Sequence, residues 1–187
     1  NQADIAAGRT CGEKYAWNAQ KDTILWRDDE GIRNSLMDNP FTYAVWAKLY
    51  HRDAIGDVRF RTEIRINEDS FFLFQILCKK PTFVGINRGV YRYNVTIGSA
   101  SREEFSDKFF DILKIAELKN DIVINTFPDF RPFADNMKLK ARLNLLSILA
   151  SRTKREYCDL EKDLIRYICA NKKSYKKKKK SDDRWMF

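Results

Sequence analysis

The eight residues Phe71-Phe72-Leu73-Phe74-Gln75-Ile76-Leu77-Cys78 constrain this chain more than any other stretch, because a helix built from them is apolar on nearly every side. A surface helix keeps one face for water, and this run has almost none to give. It has to lie inside a core with other elements packed around it. Asn67-Glu68-Asp69-Ser70 stands directly before it, with the polar and acidic residues that a helix start favours, and Lys79-Lys80-Pro81 suits its end. A chain of 187 residues, 44% apolar and 13% aromatic, has the material for such a core in one domain with at most a small appendix.

Before and after the run the pattern is mixed. Ala3–Gly8 predicts a short strand entering a polar loop that reaches about Gln20, and a second extended piece is expected around Asp22–Trp26. Asp28-Asp29-Glu30 opens a helix carrying Ile32, Leu36 and Met37, which Asn39-Pro40 stops. Between Phe41 and Tyr50 the spacing of Tyr43, Val45, Trp46, Leu49 and Tyr50 predicts a buried helix, and Val58-Arg59-Phe60 a brief strand. Thr82–Ile86 and Val90–Asn94, separated by Asn87-Arg88-Gly89, predict two paired strands and a tight turn. After residue 102 a 3.6-residue period takes over at Phe105, Phe109, Ile112, Leu113 and Ala116, with further amphipathic helices around Met137–Ala150 and Tyr157–Ile168. The fold class is therefore mixed α/β followed by a helical segment.

Charge divides the chain in the same sense. Met137–Phe187 holds 16 Lys and Arg against 6 Asp and Glu, which leaves 19 against 20 for residues 1–136 of a chain whose formal charge is +9. The four cysteines, Cys11, Cys78, Cys158 and Cys169, are scattered and only one His is present, so neither a zinc site nor a disulfide framework is predicted and a reducing, cytoplasmic setting is expected. The chain begins at Asn1 with no secretory signal pattern and has no apolar run of membrane-spanning length, so it is expected to be soluble.

Three segments in order carry a resemblance: Val45-Trp46-Ala47-Lys48-Leu49-Tyr50-His51-Arg52, then Asn67-Glu68-Asp69-Ser70-Phe71-Phe72, then Val90-Tyr91-Arg92-Tyr93-Asn94 leading to Gly98-Ser99-Ala100-Ser101-Arg102. Together they resemble the second half of the family-2 glycosyltransferases of bacterial surface-polysaccharide synthesis, over roughly residues 3–102. The resemblance implies a GT-A fold in which a nucleotide-sugar-binding half with an Asp-x-Asp metal motif precedes an acceptor-binding half with a Glu-Asp pair. Residues 1–125 would be the acceptor-side part of that catalytic domain, 126–171 a helical appendix and 172–187 a polybasic tail. No Gly-rich phosphate loop and no Asp-x-Asp triplet occur in the chain. The donor half, and the Mg or Mn ion it would bring, would then lie outside this sequence, and the chain alone is expected to be inactive.

Under that resemblance Asp69 is the general base of an inverting transfer and Glu68 its neighbour that orients the acceptor or a basic residue. A carboxylate there takes the acceptor hydroxyl's proton as the oxygen attacks the anomeric carbon. The residues themselves also support a plainer role, in which Asn67–Ser70 only caps the following helix. A helix N-terminus lowers a carboxylate's proton affinity, whereas burial and an adjacent carboxylate raise it, and sequence leaves that balance open. Trp46 and Lys48 are candidate substrate-binding residues, with a core role for Trp46 and an exposed helical position for Lys48 as the plain alternatives. Ser99, Ser101 and Arg102 could hold donor phosphate oxygens, or Ser101 and Glu104 could form a capping box. His51 is expected at the surface or as a cap.

Lys176, Lys177, Lys178, Lys179 and Lys180 form a basic run followed by Trp185, a composition suited to an anionic membrane surface and so to a lipid-linked acceptor. A non-catalytic module whose basic end binds membrane or nucleic acid is the alternative function, and a solvated charged tail the simplest outcome. The nucleic-acid version lacks the interleaved aromatics that stack bases.

Overall fold

The structure is a computed structural model that describes residues 2–11, 23–92, 94, 104–152 and 157–172. Those residues form two compact units, the first drawn from Asn1–Arg61 and Asp69–Ile97, the second from Thr62–Glu68 and Gly98–Lys178.

The first unit is a four-stranded mixed sheet with helices. Strand β1 (Ile5–Cys11) is central, β2 (Thr23–Trp26) follows, and helix α1 (Glu30–Leu36) ends before a 3-10 turn at Pro40–Thr42. Strand β3 (Lys48–Tyr50) leads into the short α2 (Arg52–Ile55), then come α3 (Glu68–Leu77) and β4 (Phe83–Arg92). The strand order is β2-β4-β1-β3, with β1 parallel to β4 and the two outer strands antiparallel to their neighbours.

Register fixes which side chains share a face. Trp26, Phe83, Ile5 and Tyr50 align across the four strands, and Ile24, Gly85, Ala7 and Lys48 form the next row on the same face. That face meets Phe72, Leu73, Ile76 and Leu77 of α3, with Phe41 and Val58, in one apolar core. Trp26 stacks on Phe83 at 4.4 Å and Phe41 meets both edge-on. Gly85 lets the Phe41 ring approach closely, since a Cβ on it would lie 3.0 Å from that ring. Six of the ten α3 residues are buried, among them Phe71, Phe72 and Phe74, as the all-round apolar run demands. The other face carries Leu25, Val84, Ala6 and Leu49 in a row, and Leu25 and Leu49 are exposed.

Three expectations for this unit are corrected. Residues 43–47 form bends rather than a buried helix, and Lys48–Tyr50 is a strand paired with β1. Phe83–Arg92 is one continuous strand, not two with a turn at Asn87-Arg88-Gly89; register shifts against β1 around Arg9 take up the irregularity. Val58–Phe60 is irregular.

The second unit is helical among its described residues, as the 3.6-residue period predicts. It contains α4 (Asp111–Thr126), α5 (Arg131–Arg152) and α6 (Cys158–Asn171). Ile66, Phe109, Ile112, Leu145, Leu149 and Leu164 make its core, and Asp111 accepts a hydrogen bond from the Arg65 backbone N–H at 2.7 Å. Glu117 bridges α4 to Lys138 and Arg142 of α5, each at 2.9 Å, and the Arg142 guanidinium lies 3.8 Å from the Tyr167 ring centroid of α6. Burial works to raise the proton affinity of Glu117, but the two hydrogen-bonded cations outweigh it and hold the carboxyl below its ordinary range.

Candidate functional site

The bends of 43–47 bring the candidate residues together, and their conformation follows from bonds made at long range. Ala47 adopts φ 58°, a left-handed backbone that costs an L-residue about 1 kcal/mol. Its carbonyl accepts from the Gly8 backbone N–H at 2.9 Å, so pairing with β1 offsets the strain. The chain then enters β3, and the Lys48 side chain folds back over its own loop. Its Nζ donates to the Ala44 carbonyl at 2.5 Å and to the Trp46 carbonyl at 3.4 Å.

Val45, at the middle of the bends, is held on both sides of its backbone. Its N–H donates to Asp69 Oδ2 in a long bond of 3.5 Å, and its carbonyl accepts from the Tyr50 hydroxyl at 3.3 Å. Asp69 is the second residue of α3 and half-buried, so the loop and the helix start meet at this carboxylate.

The charges respond to one another. Burial raises the Asp69 proton affinity above the ordinary carboxylate value, and neither the Val45 N–H nor the Lys48 charge, both of which favour the anion, cancels it. Burial lowers the Lys48 pKa to about 8, against the opposing pull of Asp69. Burial first and the Asp69 charge second push the Tyr50 hydroxyl above its usual range, so it stays a neutral donor. A carboxylate with raised proton affinity, a cation with its pKa lowered to about 8 and a neutral hydroxyl donor are groups that could hand a proton to and from a bound hydroxyl.

Trp46, one residue past Val45, stacks on Tyr91 of β4 with ring centroids 4.9 Å apart and planes 16° from parallel. It is half-buried rather than part of the sheet core, and Lys48 is part-buried in a strand rather than exposed on a helix. Glu68 is half-buried as the first residue of α3. His51 caps α2, accepting from the Asp53 N–H at 3.3 Å, which agrees with a capping role. Ser99, Ser101, Arg102, Lys176–Lys180 and Trp185 lie outside the described residues.

Sequence reasoning missed Tyr50 and Tyr91 as members of the site. Both stand inside the segments that carry the family resemblance, so that resemblance was the available signal. Among the described residues no three His, Cys, Asp or Glu side chains are grouped to hold a metal ion, and no helix is long and apolar enough to cross a membrane. No protein-family model matches the chain, and no curated protein matches it.

Proposed function

We propose that this chain is the acceptor-side part of an inverting glycosyltransferase, which moves a sugar from a nucleotide-sugar donor to a saccharide or lipid-linked acceptor in surface-polysaccharide synthesis. The observation that carries the proposal is Asp69 itself: half-buried, fixed at the start of a helix packed into the core, and raised in proton affinity by that burial. In the reaction an Asp69 oxygen takes the proton of the acceptor hydroxyl as that oxygen forms its bond to the anomeric carbon. The bond to the nucleotide's terminal phosphate oxygen breaks on the opposite side, and the nucleoside diphosphate leaves with the electron pair. Lys48 supports the ionised form of Asp69 through its charge, and the Val45 N–H fixes one carboxylate oxygen so that the other is left to the acceptor.

A further support is the exposed row of Leu25 and Leu49 on the second face of the sheet, apolar surface of the kind a sheet buries when a domain continues over it. The donor-binding half, with Mg or Mn, would be that continuation. In the intact protein Asp69→Asn is expected to lower turnover by about 100- to 10,000-fold while donor binding, followed by calorimetry, is nearly unchanged. Turnover retained by the variant would remove Asp69 as the base.

The same function suits a cytoplasmic enzyme held at the inner face of a membrane by Lys176–Lys180 and Trp185. Deleting Lys176–Phe187 should weaken binding to vesicles containing phosphatidylserine at low salt and leave binding to phosphatidylcholine vesicles as it was. Equal binding to both kinds of vesicle before the deletion would count against membrane attachment.

A further inference from the structure

We infer that the Trp46–Tyr91 stack is a platform for one pyranose ring of the acceptor saccharide, with Tyr91 presenting the contact face. The ring's identity as acceptor rests on the glycosyl-transfer proposal; the platform itself rests on four observations. First, the two rings lie 4.9 Å apart and 16° from parallel, so Trp46 backs the Tyr91 ring and leaves its outer face for a ligand. Second, Tyr91 is 39% exposed although it is large and aromatic, and its neighbour Val90 is 53% exposed. Strand β4 is buried where it starts, at Phe83 and Gly85, and exposed from Arg88 onward, so the stack stands where the core cover has ended.

Third, the platform is tied to the loop that meets Asp69. Trp46 adjoins Val45, whose N–H contacts the Asp69 carboxylate, and its carbonyl accepts from Lys48 Nζ. On the sheet side a Cβ on Gly8 would come within 2.3 Å of Val90, so the backbone of β1 packs directly under the segment that carries Tyr91. Fourth, Tyr91 is the penultimate residue of β4 and pairs with Thr10 near the end of β1, so the stack sits at the carboxyl ends of the two parallel strands. Open α/β sheets bind their ligands at that end.

A saccharide ring suits such a surface. Its axial C–H groups make one face apolar while its hydroxyls point outward from the edge, so it can lie on an aromatic plane and still present a hydroxyl sideways to a nearby carboxylate. A nucleobase could stack on the same plane, and uridine monophosphate is the probe that separates the two.

The test is a titration of the full chain with cellotriose, chitotriose, lactose and uridine monophosphate, following the Trp46 indole N–H resonance, which is identified by its loss in Trp46→Phe. At least one of the three saccharides is expected to shift that resonance, Tyr91→Ala to weaken the titration about tenfold, and Tyr91→Phe to leave it nearly unchanged. Amide spectra of Tyr91→Ala that match the parent away from β4 show that the variant is folded. No shift with any of the three saccharides, unaltered affinity in Tyr91→Ala, or a shift with uridine monophosphate alone each overturns the platform. Because the readout needs no turnover, loss of the base assignment at Asp69 leaves this result standing, and loss of the platform leaves the Asp69→Asn result standing.

Discussion

The two pieces that meet at Asp69 are built on opposite principles. Helix α3 is held by apolar burial on nearly all sides, with Phe74, Leu73, Ile76 and Leu77 fully enclosed. Residues 43–47 have only Val45 packed against the core and Trp46 stacked on Tyr91, and otherwise rest on single polar contacts: Gly8 N–H to Ala47, Lys48 Nζ to Ala44 and Trp46, Tyr50 hydroxyl to Val45, and Val45 N–H to Asp69. Burying a large apolar side chain contributes about 1.5–3 kcal/mol, whereas a typical hydrogen bond contributes about 1 kcal/mol net. The helix therefore supplies a rigid mount for the carboxylate, and the loop supplies surroundings that one substitution or one proton can alter.

The largest expected effect breaks the helix side. Phe74→Ala removes a fully buried ring and leaves a cavity, so it should lower stability by about 3–5 kcal/mol in denaturant unfolding. A loss below about 1 kcal/mol would mean that the mount is not the packed element described here.

The same contrast explains what could be read in advance. The α3 run declared its burial through composition, and the helix-start residues Asn67–Ser70 before it declared its type. The helices of the second unit were legible from their period, and β2 and α1 from their turn and acidic signals. The bends of 43–47 were not legible. Tyr43, Trp46 and Tyr50 fall at helix-compatible spacing, no Gly or Pro interrupts them, and Ala47 gives no hint of a positive φ. What decides their conformation is pairing with β1 some forty residues earlier, a contact that local pattern does not encode. Asn87-Arg88-Gly89 misled in the opposite sense, since a turn-forming triplet was drawn into a strand by its pairing with β1. For the candidate site, Asp69 and Lys48 were singled out by the segments resembling glycosyltransferases, but the rise of one proton affinity and the fall of the other depend on burial, which only the folded arrangement supplies.

The smaller effect concerns the loop, and it changes with pH. Lys48→Met leaves the Ala44 and Trp46 carbonyls without their donor but also removes a charge from a desolvated position, so the net loss near pH 7 should be about 1 kcal/mol. The folded-state Lys48 pKa of about 8 lies below its ordinary 10.5, so across that interval the unfolded chain binds more protons than the folded one. Stability of the parent relative to the Met variant must then rise as pH increases from about 8 to 10.5, and the gap between their unfolding midpoints should widen. Asp69 supplies the opposite sign. Its folded-state proton affinity is raised, so the folded chain binds more protons above pH 3.8, and the parent should lose ground to Asp69→Asn as pH rises from there. Parallel midpoints for parent and Lys48→Met between pH 8 and 10.5 would show that Lys48 is not buried against its loop, and would remove the cation from beside Asp69.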